Sequence, residues 1–532
     1  MSIRLAFPLV LIMLFVRCNF IHENGSHHPS VHFTTDKMGK SIPAGLLYDG
    51  TKHHLFYQSN SDSSNDNSLH WGHAISNDLI HWQKLPCTIF PDSLKSVHFG
   101  NVVIDGDNTS GFGKNGIPAM ISFNTYSKTE SMQSETLNHQ FLGITFSLDE
   151  GKTWGKYVEK SILLTSGTIE YKISKVFWHE ETRQWIMILN GRNNIRFYSS
   201  EDMVNWQFKS TFSYVIDKDR DNGNWEYTDL FPLMIEATNE TKWILMVSYN
   251  SGNASSGSGT KWVVGDFDGY AFHPAKEKIK SVDYGRDNFA GVTSSFNDKC
   301  IFIGCINNSQ QINQPTDSKL TSTFTLPRKL SLVREFNGYI IKSEPVEAIG
   351  QLRGKKKLLA AEDFRGIIEI KEKQELPYEL NLTFNTNTLK WLDFAEKFGV
   401  ELSTESGDKM VIGYNHYSRV FFINRVYANT NSQMDKFTEV DYAPYIDNEP
   451  TIEFRIIVDK TSVEFFSGMG SVAMTEKIPS KMVFNQIKLF AESGKISLID
   501  GNVTSLKSEH SILTTSISNY FETNKLLKIF KQ

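Results

Sequence analysis

The sequence predicts an all-β protein, a β-propeller followed by a C-terminal β-sandwich. Aromatic residues make up 12% of the 532 residues, including 37 Phe, and such side chains favour half-buried strands over helices. Short apolar-alternating segments follow one another from His32 to about Phe336, separated by Gly, Asn, Asp and Ser turns. Almost no helical periodicity interrupts them, and a chain of this length is expected to form more than one domain.

A recurrent phrase indicates the propeller. It occurs as Ser76-Asn-Asp-Leu-Ile-His-Trp82, Ser147-Leu-Asp-Glu-Gly-Lys-Thr-Trp154 and Ser200-Glu-Asp-Met-Val-Asn-Trp206. Each copy joins a polar turn to a Trp that can cover the neighbouring sheet. One copy would be an ordinary hairpin turn, but three at roughly the spacing of propeller blades predict radially repeated sheets.

The second domain is predicted from a return of alternation after residue 379, as in Thr451-Ile-Glu-Phe-Arg-Ile-Ile-Val458. This pattern is typical of an antiparallel sandwich. The intervening segment carries the basic run Arg353–Lys357 and a carboxylate-rich stretch, and we interpret it as a solvated linker. The predicted boundaries are therefore 29–342 for the propeller, 343–378 for the linker and 379–532 for the sandwich.

The N-terminus predicts export. An apolar run from Leu5 to Val16 follows Arg4 and is too short to span a membrane, so residues 1–20 are interpreted as a signal peptide, with an uncleaved anchor as the alternative. No later stretch resembles a membrane span, so the mature chain is expected to be secreted, in the medium or at the cell surface or wall. Seven sequons for N-glycosylation occur, at Asn24, Asn108, Asn239, Asn253, Asn307, Asn381 and Asn502.

Cysteine usage predicts no disulfide framework. Cys18 leaves with the signal peptide, and Cys87, Cys300 and Cys305 remain, an odd number in an oxidising compartment. Cys300 and Cys305 share one apolar run. They could be cross-strand neighbours, but buried free thiols are favoured because a free Cys packs as a small hydrophobic residue.

Composition narrows the range of partners. The net charge is −5 and no long Lys or Arg run occurs, so nucleic acid is not expected to bind. We predict neither a cofactor nor a metal site, since no cluster has ligand spacing. The pairs His27-His28 and His53-His54 are interpreted as exposed loop residues.

Several motifs together resemble glycoside hydrolase family 32, the invertases and fructan hydrolases, in the style of secreted yeast invertases. They are Val31-His-Phe-Thr34, Phe56-Tyr-Gln58, Leu69-His-Trp-Gly-His-Ala74, Asn108-Thr-Ser-Gly-Phe112, Lys175-Val-Phe-Trp178, Trp225-Glu226, Asp229-Leu-Phe-Pro232, Asp283-Tyr-Gly285 with Asp287, and Leu326-Pro-Arg-Lys-Leu-Ser-Leu332. The resemblance implies five blades in the propeller, followed by a sandwich.

The resemblance also implies that the catalytic site is degenerate. Family members use an Asp nucleophile, a Glu acid/base and a stabilising Asp, because a retaining glycosidase needs one carboxylate to attack and a second carboxyl to protonate the leaving group. Matching the motifs places Ile42 at the nucleophile position and Ile173 at the stabiliser position. Glu226 stands at the acid/base position and is the one family carboxylate that remains.

The sugar pocket is changed as well. Gln58 matches a Gln that contacts fructose in the family. Lys172 replaces an Arg, and a Lys cannot form the planar, bidentate hydrogen bonds of an Arg guanidinium. The family's Phe-Ser-Gly-Ser segment is His98-Phe99-Gly100-Asn101 here, so Phe99 is out of place.

Three functions follow as hypotheses. The first is a secreted, catalytically inactive relative with a binding, regulatory or surface role. The second is an active β-fructofuranosidase or glycosidase that hydrolyses sucrose or fructans by an altered mechanism around Glu226. The third is a carbohydrate-binding module of lectin type. The expected partner is thus a carbohydrate or a protein, and the sequence does not predict an oligomeric state.

Overall fold

The structure is a computed structural model of the chain. It describes residues 29–38, 41–60, 69–89, 97–131, 136–157, 162–167, 171–213, 224–250, 258–308, 321–336, 338–387, 393–426, 440–445, 449–479 and 482–508. The predicted signal peptide 1–20, Asn24 and Asn253 lie outside these ranges, and the side chains of Cys87 and Phe99 are not described.

The N-terminal domain is a five-bladed β-propeller, as predicted. Blade I consists of β2 (Ser41–Tyr48), β3 (His53–Asn60), β4 (Leu69–Ser76) and β5 (Trp82–Ile89). Blade II consists of β6 (Val97–Asp105), β7 (Ala119–Ser131), β8 (Thr136–Ser147), β9 (Gly155–Lys156) and β10 (Ile162–Gly167). Blade III consists of β11 (Lys172–His179), β12 (Gln184–Asn190), β13 (Ile195–Ser200) and β14 (Gln207–Phe212).

The ring closes through the first strand of the chain. Blade IV consists of β15 (Asn224–Met234), β16 (Thr241–Asn250), β17 (Ser258–Phe267), β18 (Phe272–Pro274) and β19 (Lys280–Ser281). Blade V consists of β20 (Asn288–Phe296), β21 (Lys299–Ile306), β22 (Thr321–Phe324), β23 (Arg328–Glu335) and β24 (Gly338–Pro345), together with β1 (Thr34–Met38). Because β1 pairs with β22, it joins the start of the propeller to its last blade.

The three predicted repeats form equivalent turns in blades I, II and III. In each, the first Ser accepts a hydrogen bond from the backbone N–H of the Asp two residues later. The indole N–H of the closing Trp donates to a backbone carbonyl three residues earlier, with N···O distances of 2.8–3.0 Å. Since the indole N–H is satisfied locally, its ring can pack against the blade. The repeat prediction is confirmed.

The C-terminal domain is a nearly closed sandwich. Its strands are β25 (Arg353–Leu358), β26 (Glu362–Ile370), β27 (Tyr378–Asn385), β28 (Lys397–Ser403), β29 (Lys409–Asn415), β30 (Val420–Val426), β31 (Val440–Pro444), β32 (Thr451–Val458), β33 (Ser462–Ser467), β34 (Val472–Lys477) and β35 (Gln486–Leu506). The 21-residue β35 pairs with β28 along its first part and with β27 along its second. One strand therefore runs through both layers. Inward side chains of both layers form a single apolar core.

The linker predicted at 343–378 is wrong over most of its length. Residues 343–345 complete β24, a 3₁₀ turn covers Glu347–Leu352, and β25 and β26 both pair with β35. A basic run does not distinguish a solvated loop from an edge strand, because edge strands also carry Lys, which protects them from pairing with other chains.

A fully buried polar network joins the two domains. His32 contacts Asp459 through Nδ1 at 2.8 Å and Glu464 through Nε2 at 2.9 Å. The Arg328 guanidinium pairs with the same Glu464 and, at 2.7 Å, with Asp283. Buried charges persist only when they are paired and hydrogen-bonded, so this network fixes the sandwich against blade V.

Two further predictions about single residues have opposite outcomes. Cys300 and Cys305 are free and buried, as favoured, and burial raises the pKa of each thiol to about 12. The interpretation of His53 and His54 as exposed loop residues is wrong, because both lie buried in β3. His54 bonds to Asp49 and to the buried His73.

The described sequons differ in accessibility. Asn108 and Asn239 are exposed in turns, while Asn307 and Asn381 are half-buried. Asn502 is only 6% exposed and lies in β35, where its Oδ1 accepts a hydrogen bond from Thr504. Burial of Asn502 leaves little room for a glycan on the folded domain, so we expect this sequon to stay unmodified. Among the described residues, no helix is long and apolar enough to cross a membrane.

Candidate functional site

A small cavity of about 20 Å³ opens on the propeller axis, where the five innermost strands meet. Each innermost strand contributes to its wall, through Ile42–Ala44 (β2), Gly100–Asn101 (β6), Ile173–Lys175 (β11), Tyr227–Asp229 (β15) and Gly291–Val292 (β20), with Gln58 added from β3. Convergence of all blades on one concave site is the usual place for a ligand in such an architecture. We call this cavity the axial pocket.

All five innermost strands have a β-bulge at the level of the pocket. Register shifts occur at Ala44, Phe99, Ser174 and Glu226, and across 290–291 in blade V. A bulge leaves a residue without a cross-strand partner and changes the direction in which the neighbouring side chains point. The bulges therefore turn regular inner strands into a shaped wall, and Glu226 occupies one of them.

Polar side chains that line the pocket also tie the inner strands to one another. Asn101 on β6 accepts a hydrogen bond from the N–H of Val176 on β11 at 3.2 Å and donates to the carbonyl of Ala44 on β2 at 3.4 Å. Thr228 on β15 donates its N–H to Ser174 on β11. These bonds hold neighbouring blades at a fixed distance, which a preformed site requires.

A buried ion pair continues these ties toward blade V. Lys175 Nζ lies 2.9 Å from Asp229 Oδ1, with side chains 14% and 4% exposed. The other oxygen, Oδ2, accepts bonds from the N–H and hydroxyl of Thr293 at 2.7 and 2.8 Å. Asp229 thus lines the pocket with one oxygen in an ion pair and the other hydrogen-bonded, which links three blades.

The two isoleucines predicted at degenerate positions do line the pocket. Ile42 is half-buried and Ile173 is 1% exposed. The backbone N–H of Ile173 donates to Thr125 on β7, so this segment of β11 is fixed by blade II. Hydrocarbon therefore forms two sides of the wall.

Gln58, the direct cross-strand partner of Ile42, adds a polar group beside this hydrocarbon. Its side chain is 4% exposed, and within the part of the chain that the structure describes its Nε2 has no hydrogen-bond partner. A buried amide donor left without a partner is costly. A ligand hydroxyl or carbonyl in the axial pocket would remove that cost.

Glu226 stands beside the pocket rather than in its lining. It is half-buried, and the next residue, Tyr227, forms part of the wall. Burial raises the pKa of Tyr227 well above its usual value, and the charge of Glu226 adds to the shift. Tyr227 therefore stays a neutral hydroxyl group close to the Glu226 carboxylate.

The remaining predicted residues are only partly placed. Lys172 is half-buried at the start of β11, next to the lining residue Ile173. The Phe99 position falls in the bulge of β6, and its side chain is not described. The structure thus brings Ile42, Gln58 and Ile173 together around one cavity, with Lys172 and Glu226 at its margin.

Sequence reasoning missed the structural roles of Asn101, Lys175, Asp229 and Thr293. The signal for three of them was present, since Asn101, Lys175 and Asp229 lie in motifs already singled out. Their contacts across blades join residues up to 118 positions apart, which no local pattern reveals.

The chemistry available in the pocket is limited. Two walls are aliphatic, Asp229 is held by Lys175 and Thr293, and Glu226 adds a carboxylate at the margin of the pocket. In the described ranges, no group of three or more His, Cys, Asp or Glu side chains could hold a metal ion. The arrangement offers hydrogen bonds and apolar contact to a ligand, together with one acid.

A propeller with an axial pocket, joined to a sandwich by a buried network, defines the two-domain class of glycoside hydrolases. Comparison with family models assigns the chain to one family. Residues 32–345 match the model "Glycosyl hydrolases family 32 N-terminal domain" and residues 351–507 match "Glycosyl hydrolases family 32 C terminal". The chain belongs to glycoside hydrolase family 32.

Known proteins similar to this chain act on fructans or fructosides by name. A levanase of Bacillus subtilis is 28% identical over 520 residues, covering 95% of this chain and 74% of that protein. The extracellular exo-inulinase of Aspergillus awamori is 28% identical over 485 residues, covering 84% and 88%.

Solved structures agree with the fold. The structure of the exo-inulinase of Aspergillus awamori has a TM-score of 0.80 at 25% identity and covers 90% of this chain and 98% of that one. A Schwanniomyces occidentalis fructofuranosidase complexed with fructose has a TM-score of 0.77 at 26% identity, with coverage of 91% and 99%.

Proposed function

We propose that this protein binds a fructosyl sugar in the axial pocket without hydrolysing it efficiently. The proposal rests on the hydrocarbon of Ile42 and Ile173, which line the pocket and which the motif match assigns to the nucleophile and stabiliser positions of the family. An isoleucine can neither attack an anomeric carbon nor stabilise a developing positive charge.

Glu226 alone does not replace the missing groups. General acid catalysis contributes about 10²–10⁴-fold, whereas loss of an essential nucleophile removes most of an enzyme's rate. Among the described residues that line the pocket, the one carboxylate is Asp229, and its ion pair with Lys175 and bonds from Thr293 favour a structural role over that of a nucleophile.

Binding, in contrast, is supported by what remains. The inner strands keep their bulges and cross-ties, and Gln58 presents an unpartnered donor to the pocket. A relative of similar fold, the fructofuranosidase of Schwanniomyces occidentalis, has been solved complexed with fructose. Fructose-containing sugars are therefore the ligands to test first.

We further propose that the protein is secreted and glycosylated. The apolar leader before residue 21 and the exposed sequons at Asn108 and Asn239 support this proposal. The exo-inulinase relative is extracellular by name.

A thermal-shift titration tests binding in the axial pocket. Sucrose, fructose and inulin-type oligosaccharides should raise the melting temperature, because a ligand that binds only the folded state stabilises it by mass action. Gln58→Ala should abolish the shift, while the control Gln83→Ala, an exposed position on β5, should leave it unchanged. Absence of a shift with every fructosyl sugar, or an equal shift in Gln58→Ala, would contradict binding at this pocket.

A further inference from the structure

Six residues form one line across the outer surface of the sandwich, from edge to edge of one layer. This aromatic row consists of Ile367 (β26), Phe490 (β35), Gly399 (β28), Gly413 (β29), Phe422 (β30) and Tyr442 (β31). Each member is the direct cross-strand partner of the next, and directly opposed residues lie on the same side of a sheet.

The row lies on the side of the sheet away from the core. The residues next to its members along the strands, such as Leu489, Ile412 and Ile423, belong to the buried sandwich core. Since side chains alternate along a strand, the row itself must point outward.

The two glycines create the floor of the row. A Cβ on Gly413 would lie 2.6 Å from Cζ of Phe422 and 3.0 Å from Cζ of Phe490, so both rings converge over this glycine. Exposure increases from this floor toward the ends. Phe490 is 8% exposed and Phe422 is half-buried, whereas Tyr442 and Ile367 are 59% and 67% exposed. The result is an aromatic surface that is flat in the middle and open at both ends.

Charged residues beside the row neutralise one another. On one side Lys397 pairs with Glu492 at 3.7 Å. On the other, Glu401 pairs with Lys409 at 3.1 Å and with Lys488 at 3.9 Å. These pairs leave no field of a single sign that would attract a charged partner. The charge pattern therefore fits an uncharged ligand that offers hydrogen-bonding groups at its edges.

The row by itself is too small for an ordinary protein interface. Six strands span about 24 Å at the usual strand spacing, and one row is about 7 Å wide, which gives an area of roughly 170 Å². A stable protein–protein interface needs about 800 Å² from each partner. A narrow, extended and uncharged polymer matches this shape better than a second copy of the chain does.

We infer that the aromatic row binds an uncharged polysaccharide that lies across the strands, with sugar rings stacked on Tyr442 and Phe422. Aromatic rings offer a large rigid apolar surface to the C–H faces of sugars, and the flanking Lys and Glu side chains can bond to hydroxyl groups. The row is separate from the axial pocket, so the inference does not depend on the function proposed for that pocket.

Native affinity electrophoresis of the full chain tests the inference. Gels contain levan, inulin, laminarin or mannan as uncharged polymers, or alginate as an anionic one. At least one uncharged polymer should retard the protein, and alginate should not. Tyr442→Ala should weaken binding about five- to tenfold, the loss expected for one stacking ring. Tyr417→Ala, which removes a 76%-exposed Tyr outside the row, should bind like the unmodified protein.

Several results would overturn the inference. One is that no uncharged polymer retards the protein. Another is that Tyr442→Ala and Tyr417→Ala lose polymer binding equally. A third is that alginate alone retards the protein. A dimer in sedimentation that Tyr442→Ala dissociates would show that the row is a self-association surface instead. Repeating the gels with saturating sucrose distinguishes the two sites. Retardation that persists in sucrose is due to the aromatic row, and retardation that disappears is due to the axial pocket.

Discussion

At the scale of single residues, the axial pocket combines a polar framework with hydrocarbon in its wall. Lys175, Asp229 and Asn101 still tie four of the inner strands and their neighbours together. Ile42 and Ile173 stand in the wall that these ties support. In the proposed function, the residues that hold the blades together differ from those at the reactive positions, so a loss of catalysis would leave the fold intact.

The ion pair between Lys175 and Asp229 should contribute strongly to stability. Lys175→Met would leave Asp229, which is 4% exposed on its side chain, as an uncompensated buried charge. We expect a loss of about 3–5 kcal/mol in the free energy of unfolding, measured by urea denaturation.

The matched control is Lys242→Met, because Lys242 pairs at the same 2.9 Å distance with Asp266, which is 65% exposed. That change should cost less than about 1 kcal/mol. Equal losses in the two variants would show that the Lys175 pair is not a structural tie between blades.

The sequence was sufficient to predict which residues lie at the site, but not which of them contact one another. Short motifs located Ile42, Ile173 and Glu226, because each lies within a recognisable string of letters. The hydrogen bond from Lys175 to Thr293 joins residues 118 apart. Such a contact depends on closure of the whole ring, which a local pattern does not encode.

At the scale of strands and turns, the repeats were the most informative signal. Each Ser-x-Asp…Trp phrase satisfies its own polar groups through bonds only a few residues apart, so the turn is specified locally. Strands β25 and β26 were missed for the opposite reason. Their Lys-rich and Glu-rich sequences become strands only because β35 supplies a partner more than 100 residues later.

Sequon occupancy should follow strand geometry. When the protein is expressed in a eukaryotic secretory host, we expect glycans at the exposed Asn108 and Asn239 and an unmodified Asn502, which is buried in β35. Glycopeptide mass spectrometry after enzymatic deglycosylation in heavy-oxygen water measures each site separately. A fully occupied Asn502 would contradict the position of β35 in the sandwich.

At the scale of the whole molecule, the buried network around His32 couples the two domains. Burial by itself lowers the pKa of His32, but hydrogen bonds and charges from Asp459 and Glu464 outweigh that effect and raise the pKa to about 9. Burial raises the pKa of Glu464, whereas Arg328 and His32 lower it, to a net value of about 2. Both groups are therefore charged at neutral pH.

These shifts predict the pH dependence of stability. A raised His pKa stabilises the folded state fully below about pH 6.5, and the contribution is lost as the pH rises through 9. The lowered Glu464 pKa acts in the other direction. Its contribution is present above about pH 4.5 and is lost as the pH falls toward 2.

Replacement of His32 should remove the alkaline part of this dependence. Denaturation of His32→Gln between pH 6 and 10 should show lower stability at pH 6 and a smaller decline toward pH 10 than the unmodified protein. His81→Gln, which changes a partly exposed His in a turn of blade I, serves as the control. An unchanged decline in His32→Gln would show that another group causes the alkaline loss.

The central claim is that the axial pocket lacks the carboxylates needed for hydrolysis, and side-by-side kinetics test it most directly. Four proteins are assayed on sucrose, inulin and levan. They are the unmodified protein, the Schwanniomyces occidentalis fructofuranosidase, the double variant Ile42→Asp/Ile173→Asp, and a triple variant that adds Glu226→Gln to the double variant. We predict a kcat/KM for the unmodified protein at or below about a thousandth of the relative's value. The double variant should gain activity, and the added Glu226→Gln should abolish the gain. A rate for the unmodified protein within tenfold of the relative, reduced by Glu226→Gln, would contradict the claim.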